Sequence, residues 1–242
     1  MENGTIPPRG ASRVVCRLKL SKTGPARFMS HLDFMRAVER AVRRAGLPVA
    51  LTQGFHPHPR MSFAPALPVG IESECELVDV ELSGCPDPSE AGARVRDALP
   101  SCLALVACAL VPQGGPSLSM LIQAVSYEVD FEREDAGAWG GHIEAAVEGI
   151  LRARAVPVFR ATPKGTKEVD LRPLIYDLKF FRGDVTDRVC ILVGEGPDRH
   201  VRPGDIVREI QRRAASGRAV RPARIVRKEF FMRRDGALCP VL

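Results

Sequence analysis

Two rhythms of apolar residues alternate along this chain. Val14 to Leu20, VVCRLKL, steps between apolar and polar toward its end, the two-residue period of a half-buried strand. Leu32, Met35, Val38, Val42 and Ala45 then recur on one helical face, with Ser30 placed to cap the start and Gly46 and Pro48 to end the run. Val49 to Thr52 and Met61 to Leu67 read as short extended pieces. Cys75 to Leu82, CELVDVEL, reads as a strand that alternates apolar and acidic positions. A helix over Ser89 to Leu99, capped by Asp87 or Ser89, and an apolar strand over Leu103 to Val111 complete this half.

The same order then recurs. Val125 to Phe131 is a strand, and Trp139 to Ala153 a helix with Ile143, Val147, Ile150 and Leu151 on its apolar face. Val156 to Thr162 is a strand, followed by a polar, hairpin-like PKGTKEVDLRPL. Strands over Ile175–Phe181 and Val189–Val193, a helix over Pro203–Ala215 and a strand over Ala223–Arg233 close the series. Strand, helix, strand, strand, helix, strand is the split βαβ order of a ferredoxin-like fold. The expectation is an α+β chain of two tandem ferredoxin-like (βαββαβ) halves, each an antiparallel sheet with its helices on one face. The boundaries follow: a flexible lead-in over 1–12, one domain over 13–112, a linker over 113–122, a second domain over 123–235 and a tail over 236–242. The repeat is one of pattern alone, as in a tandem duplication whose identity has faded.

Charge sharpens this outline. The formal net charge is +6, and 29 of the 35 basic residues are arginine. Arginine binds phosphate bidentately where lysine cannot, although a GC-rich genome yields the same bias. Bases outnumber acids ten to two from Arg13 to Arg60 and twelve to three from Arg199 to Arg234, whereas acids lead eight to two from Glu72 to Asp97. Basic ends around an acidic middle can make a one-sided field in the folded chain, or simply a solvated surface.

The seven cysteines are irregularly spaced, with no CxxC pair and no CxxxCxxC run of the kind that holds a radical-SAM cluster. Reduced, mostly buried thiols and no cofactor are therefore expected. The polar start MENGTIPPRGAS has no apolar signal core, and no run approaches the roughly 18 apolar residues of a membrane span. A cytoplasmic protein without membrane contact is expected.

Arg27 to Gly70 holds the densest candidate chemistry. Arg36, Arg40 and Arg43 share a helix face, a stripe that can meet successive phosphates or stand solvated with Glu39 pairing locally. In the loop GFHPHPR, Phe55, His56 and His58 offer flat surfaces for an unpaired base, and Arg60 a fork for phosphate or a guanine edge. The alternative is a rigid turn with Phe55 anchored in the core. His56 and His58 supply only two metal ligands, so no metal site is expected. His31 is a weak candidate for a general base or else a hydrogen-bonding residue at the helix start. Lys167 and Arg172 lie in a charged hairpin that could reach a ligand, or equally form an ordinary exposed β-turn with internal ion pairs to Glu168 and Asp170. Arg227, Lys228, Arg233 and Arg234 surround Phe230 and Phe231, of which one faces the core.

The run RFMSHLDFMRAVERAVRRAGLPVALTQGFHPHPRMSFAPALPVGIESECELVDVEL, together with KGTKEVDLRPLIYDL, resembles the radical-SAM-linked protein family, a domain of unknown function. The resemblance covers most of residues 13–235. It implies a domain found alone or fused to the C-terminus of a cobalamin-binding radical-SAM protein, with genes for ribosomal proteins and a ribonuclease often nearby. It draws attention to Arg27, Ser30, His31, Asp33, Arg36, Gln53, Gly54, Phe55, His56, Pro57, Arg60, Gly70, Glu72 and Ser73, and carries over no catalytic residue. Glu72 and Ser73 are expected to close the site by pairing with the basic helix.

The leading expectation is an accessory RNA-binding protein that works with a radical-SAM partner in RNA modification or processing. Arg27, Arg36, Arg40, Arg43, Arg60, Lys167 and Arg172 would meet RNA with Phe55, His56 and His58, supported by Ser30, Asp33, Gln53, Gly54, Glu72 and Ser73. Two alternatives stand beside it: a metal-independent RNA endonuclease of tandem ferredoxin-like fold, and a protein–protein adaptor that docks the radical-SAM enzyme. No catalytic constellation is visible.

Overall fold

A computed structural model describes residues 14–132, 140–162, 165–197, 199–214 and 221–242. The expected lead-in, Trp139, Lys164 and Ala215 lie outside the described residues. The chain divides into two compact units, one ending at Leu121 and including Leu242, the other spanning Ile122–Val241.

The first unit runs β1 (Val14–Lys22), a 3-10 turn (Gly24–Phe28), α1 (His31–Arg44), β2 (Met61–Phe63), β3 (Glu72–Leu82), α2 (Pro88–Ala98), β4 (Ala104–Pro112) and α3 (Leu118–Leu121). β1 pairs with β4 on one side and β3 on the other, and β2 pairs with β3, all antiparallel. The order β4–β1–β3–β2 is the ferredoxin-like one. Phe34, Ala37, Val38 and Val42 of α1 and Ala91 and Val95 of α2 pack on Cys16, Leu18, Leu20, Val78, Val80 and Leu82. Val38, Val42 and Ala45 of the expected inward face of α1 are buried, and the difference lies in its first turn. Leu32 is exposed, and Phe34 takes the core, its ring 6.1 Å from that of Phe63 in an edge-on stack. Turning Phe34 inward buries the largest apolar side chain the helix offers.

The helix ends are set locally. Ser30 Oγ accepts the Asp33 amide (3.1 Å) and donates to the Asp33 carboxylate (2.7 Å), closing the start of α1. Gly46 ends it with φ +61°, a conformation that disfavours side chains, and a Cβ there would meet the Arg94 guanidinium at 2.8 Å. Asp87, rather than Ser89, caps α2 by accepting the Glu90 amide (2.9 Å).

The second unit runs β5 (Ala124–Glu132), α4 (Gly140–Arg152), β6 (Pro157–Thr162), β7 (Gly165–Asp170), a 3-10 turn (Arg172–Leu174), β8 (Ile175–Phe181), β9 (Thr186–Gly194), α5 (Pro203–Ala214), β10 (Pro222–Arg234) and β11 (Ala237–Pro240). The sheet order β10–β5–β9–β8 again is ferredoxin-like, with β6 and β7 inserted as a separate hairpin between α4 and β8. Tyr127, Val129 and Phe131 are buried on one face of β5, and Ile143, Val147, Ile150, Ile206 and Ile210 of the helices are buried with them.

The division between the two units falls within the expected linker 113–122, which also contains α3 with its fully buried Leu118. Two segments differ from expectation. The supposed tail contains β11, paired with β10 from Phe231↔Pro240 to Arg234↔Ala237. Val49 to Thr52 makes only isolated bridges, Val49 to Leu82 and Leu51 to Pro59.

Candidate nucleic-acid interface

Arg36, Arg40 and Arg43 lie exposed on one face of α1. They are not equally available. Arg43 hydrogen-bonds Glu39 (2.9 Å) and Arg36 stands 3.7 Å from Asp33. Arg40 has no ion-pair partner among the described residues. Exposed pairs of this kind cost little to exchange for a phosphate.

The loop of His, Pro and Arg is a braced hairpin beside that face. The Thr52 amide donates to His58 O, the Arg60 amide to Ala50 O, and the Ala50 amide to Glu81 O, each at 2.8 Å. The His58 amide donates to Thr52 Oγ1 (3.0 Å). These bonds fix the stem at Thr52 and His58 and leave Gln53, Gly54, Phe55, His56 and Pro57 at the tip, all exposed. Gly54 has φ +134°, a backbone that only glycine adopts freely. Phe55 is fully exposed, so the reading of a core anchor is corrected: its neighbours carry the stem, and the ring projects.

His58 ties the hairpin to α1. Its Nδ1 lies 3.5 Å from Glu39 Oε1, the oxygen that also takes Arg43. Burial on its own would raise the Glu39 carboxyl, but hydrogen bonds and charge from Arg43 and His58 outweigh it and hold Glu39 below its ordinary value. Arg60 stands 3.4 Å from Glu81 at the same end of β3.

Arg27, Glu72 and Ser73 occupy the other end of β3. Glu72, largely buried, accepts the Gly24 amide (3.1 Å) and Arg27 Nη1 (3.4 Å). The expected closure of the basic helix by Glu72 is thus a tie to the 3-10 turn ahead of it. Arg27 also lies over the Phe28 ring at 4.6 Å, and its carbonyl accepts the Gly70 amide. Buried Ser73 Oγ accepts the Cys75 amide (3.2 Å). Nine strand steps of about 3.3 Å separate Glu72 from Glu81, so Arg27 and Arg60 stand about 30 Å apart along β3. The predicted residues do not gather in one pocket: Arg36, Arg40 and Arg43 line α1, Arg27 is tied to Glu72 at one end of β3, and Arg60 pairs at the other end with Glu81, whose side chain shares with Asp79 the sheet face away from α1. His31 sits at the start of α1, its ring 6.2 Å from Phe63 and edge-on to it, which makes it part of the packing there.

In the second unit the two predicted residues part company. Lys167 is exposed on β7. Arg172 turns inward: Nε and Nη2 donate to Leu151 O (3.2 and 3.0 Å) and Nη1 to Ile175 O (3.1 Å). It closes the C-terminal end of α4, where carbonyls lack helical partners. Asp170 beside it accepts the Val156 and Arg172 amides (2.7 and 3.0 Å). The DLRPL part of the recognisable stretch KGTKEVDLRPLIYDL is a structural corner at this point. On β10, Phe230 faces the core under Arg227, whose guanidinium lies 4.5 Å above the ring, while Phe231 takes the other side.

Several ion pairs escaped the sequence reading. Arg17 meets Asp79 through two 2.8 Å hydrogen bonds on the sheet face away from α1. Arg160 binds the buried Asp205 (2.8 Å), which Arg208 also contacts. Arg188 bridges Asp130 and Glu128 (2.6 and 3.2 Å). Cross-strand alternation could have found the last, because Glu128, Asp130 and Arg188 occupy one face of β5 and β9. Among the described residues, no three His, Cys, Asp or Glu side chains are grouped to hold a metal ion, and no helix is long and apolar enough to cross a membrane.

A family model described as "uncharacterized protein conserved in bacteria (DUF2344)" matches residues 16–203. No curated protein matches the sequence. Among solved structures, the chain is similar to a crystal structure of a Cbf5-Nop10-Gar1 complex, with 10% identity, a TM-score of 0.48, and 89% of this chain and 48% of that one covered. It is also similar to an archaeal box H/ACA sRNP Nop10-Cbf5 complex, with 11% identity, a TM-score of 0.40, and 88% and 46% covered. A third is a putative glycine cleavage system transcriptional repressor, with 12% identity, a TM-score of 0.21, and 83% and 87% covered. The chain spans about half the length of the first two chains. Likeness at this level carries no functional meaning.

Proposed function

The chain belongs to the DUF2344 family of uncharacterized bacterial proteins, and from that premise we propose that it is an accessory RNA-binding protein. The observation that carries this reading is Phe55. A fully exposed aromatic ring, at the tip of a hairpin braced by backbone bonds, costs solubility and adds nothing to the core. Stacking on an unpaired base recovers that cost. The arginine face of α1 stands beside the hairpin through the His58–Glu39 link and supplies phosphate contacts. Arg36, Arg40 and Arg43 hold the backbone of the RNA, and Phe55 and His56 engage a base at the tip.

The resemblance to radical-SAM-linked proteins extends the proposal: the bound RNA is presented to a cobalamin-binding radical-SAM protein that modifies or processes it. The direct test is fluorescence anisotropy of single-stranded and stem-loop RNA with the full chain and a Phe55→Ala variant. Loss of stacking should weaken binding by about 1–3 kcal/mol, roughly 5- to 150-fold. Undiminished binding by that variant overturns the assignment of the hairpin tip.

A further inference from the structure

The sheet face of the second unit opposite the buried side of β5 carries a recess of about 260 Å³. Register builds it. Ser126 and Glu128 on β5 stand opposite Leu192 and Cys190 on β9, which in turn stand opposite Asp177 and Lys179 on β8. Lys228 and Phe231 of β10 close the remaining side. Cys190, Leu192 and Phe231 are half-buried and make an apolar floor. Burial, with the Glu128 charge adding to it, pushes the Cys190 thiol up, so it remains a neutral, unreactive part of that floor.

The rim has a different chemistry. Lys179 Nζ lies 3.1 Å from Asp177, and Lys228 Nζ 3.8 Å from Glu128. On one side of the apolar floor a donor-only ammonium therefore stands beside the acceptor-only Asp177 carboxylate, and on the other Glu128 is shared between Lys228 and Arg188 (3.2 Å). The volume falls just short of the about 300–1,000 Å³ of sites for drug-sized ligands, so it suits one ring system rather than a whole nucleotide.

We propose that this recess binds a single guanine base. A planar ring covers the Leu192–Cys190–Phe231 floor. Guanine places two adjacent acceptors, O6 and N7, which lysine reads, beside adjacent N1 and N2 donors, which a carboxylate reads. Adenine, cytosine and uracil lack that double pairing. The source of the base is either an unpaired guanosine in RNA or a free guanine nucleotide, and the chemistry of recognition is the same. The first source rests on the RNA-binding reading above; the second does not.

The test is titration of the full chain with GMP, AMP, CMP and UMP, followed by saturation-transfer NMR and calorimetry. GMP should bind at least tenfold tighter than the other three. Asp177→Asn should lose at least tenfold of that affinity, and Cys190→Leu, which fills the floor, should abolish it. An unchanged melting temperature in Asp177→Asn separates a lost contact from misfolding. Equal binding of all four nucleotides, no binding of GMP, or GMP binding indifferent to Asp177→Asn overturns the proposal. Competition of GMP by a guanosine-containing oligoribonucleotide, but not by one without guanosine, assigns the site to RNA; competition by neither assigns it to the free nucleotide. If GMP binds as expected while no RNA binds anywhere, the RNA reading fails and the recess stands.

Discussion

His58 Nδ1 and Glu39 Oε1 lie 3.5 Å apart and join the projecting hairpin to the basic helix. The same oxygen takes Arg43, so one acid sets both the hairpin's position and the availability of an arginine. Glu39→Gln should free Arg43 and loosen the stem. Hydrogen exchange at the Thr52 and His58 amides, corrected for intrinsic rates, should rise several-fold at pH 7. The pH dependence has a definite sign. Glu39 in the folded chain is held below the ordinary carboxyl value of 4.5. Its contribution is therefore fully present above the unfolded value and is lost as pH falls through the folded one. The wild-type chain should show the loosened stem only below about pH 4.5 and the Glu39→Gln variant at every pH.

Arg172 separates a structural arginine from a binding one. Its guanidinium is committed to the carbonyls of Leu151 and Ile175. Arg172→Ala should destabilise the chain by about 1.5–3 kcal/mol, the range for hydrogen bonds to a charged group. RNA affinity of the folded fraction should stay unchanged. Urea denaturation and anisotropy on the same sample check both halves.

Arg17 and Asp79 form a two-bond ion pair whose side chains are about one-tenth exposed. Asp79→Ala leaves Arg17 buried without its partner and should cost about 3–5 kcal/mol. Replacing both, as Arg17→Met with Asp79→Leu, should recover most of that loss. Denaturant midpoints of the three proteins measure the difference.

Much of this molecule was legible from pattern. The strand and helix order, the Ser30 cap and the Gly46 stop follow from period and local chemistry, which act within a few residues. What was hidden depends on distant partners. The hairpin over residues 49–60 is held by backbone bonds to Glu81, and proline and histidine spacing gives no sign of them. Arg172 binds the carbonyl of a residue 21 positions earlier, so its inward turn could not be read from a charged stretch. At the first turn of α1, Leu32 lost its expected core place to Phe34 because Phe63, supplied by β2, offered the larger ring a partner. The stripe of Arg36, Arg40 and Arg43 was visible because a helix puts those spacings on one side whatever surrounds it.

The central claim is RNA binding by the Phe55 tip and that stripe together, and salt dependence tests the claim most directly. Binding of a single-stranded RNA should be measured from low to physiological salt for the wild-type chain and for Arg36→Gln with Arg40→Gln. Each phosphate contact contributes about 0.7 to the slope of log affinity against log salt on single strands, so losing two should flatten that slope by about 1.4. The double variant should also bind more weakly at every salt concentration while retaining the wild-type melting temperature. An identical slope and affinity in the two proteins would contradict the account.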